Sequence, residues 1–245
     1  MTIDLAIVLG FGILAGFVSG VVGTGASVIA MPLLVWQFGP REAVPVMAVA
    51  ALLLNAAKLA SWWRQTHWRA AAAFGLAAMP TAMLGARTLL AIPPWTVECG
   101  LGLFFLAMIP GRRWLDARGS GLTLWQLGVA GAVLGFLAGI VASTGPLSVP
   151  AFVAFGLAKG AFVATEAAGS LAIYAAKVAT FERLGVLPWS TVLAGIAVGA
   201  SMSVGAMLAR RVLAGMDVAR FRSLIDVVMA IAGLALLWTA LRPAA

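Results

Sequence analysis

The chain has 245 residues, 63% of them hydrophobic and only 10% charged, with a formal net charge of +8. A soluble domain carries about 25% charged residues, so this composition excludes a water-soluble globular protein and indicates a polytopic membrane protein. The basic residues lie at segment ends rather than on one solvated face, which fits orientation in a bilayer and contact with anionic headgroups and excludes a nucleic-acid partner.

Ten apolar segments follow in chain order, at 3–22, 28–38, 43–61, 70–90, 97–109, 122–142, 147–155, 161–181, 189–209 and 219–241. The first lacks a basic n-region and a cleavage site, so it is read as a helix that stays in the membrane. Eight segments approach the length needed to span. The other two, 28–38 and 147–155, reach only about 17 and 14 Å as helices. Tryptophans mark the interfaces at Trp62, Trp63, Trp68, Trp95, Trp114, Trp125 and Trp189. The single cysteine, Cys99, cannot form an intramolecular disulfide.

Both short segments follow glycine-rich breaks, and the breaks echo each other about 119 residues apart. Gly20-Val21-Val22-Gly23-Thr24-Gly25 answers Gly139-Ile140-Val141-Ala142-Ser143-Thr144-Gly145, and Asn55-Ala56-Ala57-Lys58 answers Tyr174-Ala175-Ala176-Lys177. The chain therefore divides into two membrane repeats, 1–118 and 119–245, forming one integrated transporter domain. Paired interrupted helices in two halves of a membrane chain point to a transport site at the repeat interface.

Loop charge separates two topologies. If each break lies within one crossing, the Lys and Arg outside the spans divide 7:7 between the two sides. If each break is the turn of a hairpin, they divide 10:4, with Arg64, Arg69, Arg112, Arg113, Arg118, Lys159, Arg210, Arg211, Arg220 and Arg222 together. The positive-inside rule favours the second. The expected fold is all-α and polytopic, with two inverted repeats, each a glycine-broken helix hairpin plus three spanning helices. Eight full-length spans and two short helices result, with both termini outside.

Non-helical backbone survives at membrane depth only if buried in protein or lining a wet cavity. The helices beginning near Ala26 and Pro146 would aim unsatisfied N–H groups and positive dipole ends into such a cavity, which suits a small oxyanion. Gly23, Thr24, Gly25, Ala26, Ser27, Ser143, Thr144, Gly145 and Pro146 are the candidate binding residues there. Lys58 and Lys177, with Asn55 and Tyr174 one turn earlier, are candidates to hold the anion; snorkelling to the interface is the competing role for the lysines. The ladders Gly12, Gly16, Gly20 and Gly131, Gly135, Gly139 read as helix packing, within the chain or in a homodimer. Glu166 is a proton-coupling candidate, or else half of an internal ion pair. Asp226 has the same two readings, with Arg222 close enough to pair locally, and His67 reads as surface. One histidine and one cysteine are too few for metal or haem ligation, so no cofactor is expected.

The glycine pattern running from Ser19-Gly20 through Gly23-Thr24-Gly25 to Pro32, repeated from Ala138-Gly139 through Thr144-Gly145-Pro146 to Pro150, resembles the TauE/SafE sulfite exporter family, also called TSUP. Gly25-Ala26-Ser27 and Ala142-Ser143 depart from the glycines common there. The resemblance implies a secondary transporter moving a small sulfur-containing anion, such as sulfite, thiosulfate or a sulfonate, across the bacterial cytoplasmic membrane. Coupling would be to a proton or sodium gradient. An uncoupled anion channel and the membrane subunit of a larger transport complex remain alternatives. A membrane enzyme is disfavoured, because no Ser-His or Cys-His pair lies within the spans.

Overall fold

The computed structural model describes residues 5–23, 25–38, 40–88, 121–140 and 145–217, with isolated positions at 106, 110 and between 219 and 238. These residues are all-helical: α1 (Leu5–Val22), α2 (Ala26–Phe38), α3 (Pro40–Trp62), a 3-10 turn (Trp63–Gln65), α4 (Trp68–Thr88), α5 (Leu124–Ile140), α6 (Gly145–Ala154), α7 (Lys159–Arg183) and α8 (Trp189–Gly215). Most of segments 97–109 and 219–241, with Asp226, and the junction at 118 lie outside the described residues.

Among the described residues, two helices are long and apolar enough to cross a membrane, Glu42–Gln65 and Trp189–Gly215. Three shorter apolar helices accompany them, at Ile7–Val22, Ile29–Phe38 and Leu124–Ile140. Helix α7 is comparably long at 25 residues, but Lys159, Glu166, Lys177, Glu182 and Arg183 lower its hydropathy. Polarity is arranged inside out. Asn55, Lys58, Glu166, Ser170 and Lys177 are buried, while Leu76, Trp125, Leu84 and Leu14 are exposed around the outside. Water would favour the reverse; a bilayer favours this.

The ends of the helices follow local chemistry. Pro40 opens α3 with its fixed φ, and Glu42 sits at the positive end of the helix. His67 caps α4: its Nδ1 accepts the Ala70 N–H at 3.2 Å, while its own amide donates to Thr165 Oγ1 at 2.9 Å. The histidine is exposed, as expected, and serves as a helix cap.

Close packing is set by small residues. A Cβ on Gly131, Gly135 or Gly139 would strike α4 backbone at Phe74, Ala78 and Ala82 in turn, so α4 and α5 run parallel in near contact. Gly12, Gly16 and Gly20 meet α8 at Ser201, Met202 and Ala206 in the same way. Helices α3 and α8 are also parallel, through Gly195 at Val49 and Gly199 at Ala50. Helices α3 and α7 are antiparallel, since Trp62 meets Gly160 and Lys58 meets Glu166. All six ladder glycines thus pack helices within the chain.

A Cβ on Gly135 would lie 2.5 Å from the Ala78 carbonyl and 2.6 Å from Thr81 Oγ1, whereas one on Gly128 would lie 3.4 Å from the Ala73 carbonyl. Gly135→Ala is expected to cost about 1–3 kcal/mol through overpacking, read as a lower melting temperature in detergent. Gly128→Ala should melt close to wild type.

Two further contacts place the short helices and the charges. The Leu122 amide donates to the Ala154 carbonyl at 3.0 Å, so the start of α5 and the end of α6 lie together and the two form a hairpin. At the same end of the bundle Gly160 rests on Trp62 and Gln65, and the Arg210 guanidinium lies 5.2 Å from the Trp62 ring. Lys159 Nζ donates to the Ala214 carbonyl there.

Candidate functional site

The first break is made by two residues in the left-handed region, Gly23 at φ 86° and Gly25 at φ 100°. Other residues rarely adopt that conformation. The last α1 bond runs from the Gly23 amide to Ser19, and the first of α2 runs from Ile29 to Gly25. The amides at the start of α2 therefore precede its hydrogen-bond ladder. Gly23 is also a point of close approach, because the Phe162 ring occupies the space a Cβ would need.

Beside the break lies a small, partly open cavity, lined by Ser19, Gly23, Gly25, Ala26 and Ser27 from the first hairpin. Met47, Ala51, Leu54, Asn55 and Lys58 face it from α3, on one stripe at helical spacing. Glu166 and Tyr174 face it from α7, eight residues apart and so on one side of that helix.

At its centre Lys58 and Glu166 form an ion pair, Nζ to Oε2 at 3.2 Å, with side chains only 4% and 1% exposed. Lys58 Nζ also donates to the Gly23 carbonyl at 2.8 Å, which the break has released from the helix ladder. Glu166 Oε1 accepts from Ser148 Oγ at 2.9 Å and Ser170 Oγ at 2.7 Å. The carboxylate thus holds donors from α3, α6 and α7. A continuous polar chain runs from the first break through Lys58 and Glu166 to Ser148 in the second hairpin. Burying both charges would cost several kcal/mol per ion if they were unpaired; pairing plus hydroxyl donors offsets this.

Lys177 is equally buried but stands apart from this cavity. Its Nζ donates to the Ala138 carbonyl of α5 at 3.0 Å and lies 5.8 Å from the Tyr174 ring centre. It follows Glu166 by 11 residues, about 16 Å along α7. Because α3 and α7 are antiparallel, that offset carries Lys177 away from Lys58. Neither lysine snorkels to an interface.

Of the candidates from the sequence, Gly23, Gly25, Ala26, Ser27, Asn55, Lys58, Tyr174 and Glu166 share one cavity. Gly145 and Pro146 open α6, and Thr24, Ser143 and Thr144 lie outside the described residues. Ser19, Ser148 and Ser170 were not singled out as site residues. Ser170 was findable, one turn after Glu166 on the same face; Ser148 carried no local signal. Among the described residues no group of three His, Cys, Asp or Glu side chains is placed to hold a metal.

The family model for the sulfite exporter TauE/SafE family matches residues 8–236. The chain belongs to the TauE/SafE family. No curated protein and no solved structure matches it. Membership makes it a membrane protein of a transporter family whose description is sulfite export.

Proposed function

We propose that the protein is a secondary transporter of a small sulfur-containing monoanion in a bacterial cytoplasmic membrane, with its site in the cavity beside Gly23–Ser27. The observation that carries this reading is the buried Lys58–Glu166 pair meeting a helix break. An anion brought to the intact pair would face the Glu166 carboxylate at close range. A proton on Glu166 removes that repulsion and leaves the Lys58 ammonium, with the amides opening α2, to hold the anion. Proton and anion then bind together, and direction follows the gradients.

Alternating access would come from two inverted repeats moving against each other. Several contacts support that arrangement. α1 packs on α8 as α5 packs on α4, and α3 packs on α8 as α7 packs on α4. The corresponding helices α3 and α7 run antiparallel, as inversion requires. Positions 47 and 166, and 55 and 174, are equivalent in the two halves and line the same cavity. The grouping of Arg64, Lys159 and Arg210 near one end of the bundle supports the hairpin topology with that end cytoplasmic.

The test is uptake of labelled sulfite and thiosulfate into proteoliposomes, with and without an imposed proton gradient, for wild type and Glu166→Gln. Gradient-driven, saturable uptake is expected in wild type. The variant, with a permanently neutral partner for Lys58, is expected to exchange anion without response to the gradient. Uptake that is indifferent to the gradient in wild type would favour an uncoupled channel; no uptake of either anion would remove the substrate class.

A further inference from the structure

The cavity holds one polar atom that the transport reading does not use. Asn55 is 4% exposed and faces the cavity from α3. Its Nδ2 donates to the Ala51 carbonyl one turn back at 2.9 Å. The other atom of the amide, Oδ1, is buried with no hydrogen-bond partner among the described residues. A buried acceptor left without a donor is costly, and a fully deprotonated oxyanion cannot satisfy it, having only lone pairs to offer.

We propose that Asn55 is a specificity residue selecting a monoanion that itself carries a hydrogen-bond donor, an O–H or N–H on or beside the sulfur oxyanion head. The inference rests on the transport site proposed above. The two ends of such a ligand match the two ends of the cavity wall. The anionic oxygens go to Lys58 and the start of α2. The donor goes to Asn55 Oδ1, three residues before Lys58 on the same face of α3. Singly protonated hydrogen sulfite fits this description, and dianionic sulfite does not. The residue equivalent to Asn55 in the second half is Tyr174, so the amide acceptor belongs to one side of the cavity alone.

The deciding experiment is calorimetric titration of the purified full-length protein in detergent with sulfamate and with methanesulfonate. The two are monoanions of similar size and differ by an N–H donor against a methyl group. Wild type is expected to bind sulfamate roughly ten- to a hundredfold more tightly, the range that a satisfied buried acceptor gives. Asn55→Leu is expected to bring the two affinities together, read as the ratio of the two dissociation constants within the variant. A parallel titration with sulfite across its second ionisation distinguishes an O–H from an N–H donor: affinity should follow the singly protonated form. Equal affinities in wild type, which need no variant to observe, or an undiminished preference in Asn55→Leu, would overturn the role of Asn55 and leave the transport reading standing. Binding of none of these anions would overturn both.

Discussion

Replacing Lys58 with alanine is expected to abolish transport, by about a hundredfold or more, and to destabilise the bundle. The ammonium bridges the Gly23 carbonyl and Glu166 Oε2. Its removal leaves a carboxylate that is 1% exposed with, among the described residues, only Ser148 and Ser170 as donors. Breaking one side of a buried pair costs about 3–5 kcal/mol, because the remaining charge is uncompensated. Thermal melting in detergent should fall accordingly. The double variant Lys58→Ala with Glu166→Gln separates structure from function: it should recover much of the lost stability, since no charge is then stranded, and recover no transport, since the cation for the anion is still missing. Transport regained in the double variant would show that Lys58 is needed only to neutralise Glu166.

Gly23→Ala is the second large effect. Two costs coincide there. A left-handed backbone costs an L-residue about 1–2 kcal/mol, and the new methyl would collide with the ring of Phe162, which is fully buried. Overpacking of that kind adds about 1–3 kcal/mol. Gly25→Ala provides the comparison: its φ of 100° carries the same conformational strain, but the nearest atom to a Cβ is Val18 Cγ1 at 3.9 Å. The expected order of melting temperatures is wild type, then Gly25→Ala, then Gly23→Ala. Adding Phe162→Leu to Gly23→Ala should recover part of the loss, since only the steric component is relieved. Because the Gly23 carbonyl accepts from Lys58, transport should fall further in Gly23→Ala than stability alone would dictate. Uptake in proteoliposomes normalised to folded protein checks this.

What could be read along the chain was whatever depends on neighbours in sequence. Hydropathy marked the membrane class, since 10% charge cannot cover a soluble surface. Glycine spacing located the first break and the six packing positions, because a glycine without a side chain permits both a positive φ and close helix approach. Lys58 and Glu166 stood out because ionisable residues inside apolar segments are rare. Their relation to each other was not legible. They are 108 positions apart, and the two readings of Glu166, proton carrier or ion-pair partner, differ only in what faces it. The antiparallel crossing of α3 and α7 brings Lys58 to Glu166 and takes Lys177, its counterpart in the second half, some three turns away to the Ala138 carbonyl. The same crossing turns Asn55 into the cavity with an acceptor to satisfy, and the return of α6 supplies Ser148. Sequence determined which residues carry charge and where the helices break, through local composition and backbone freedom. Tertiary structure decided which charges meet, because that depends on the direction and register of helices far apart in the chain.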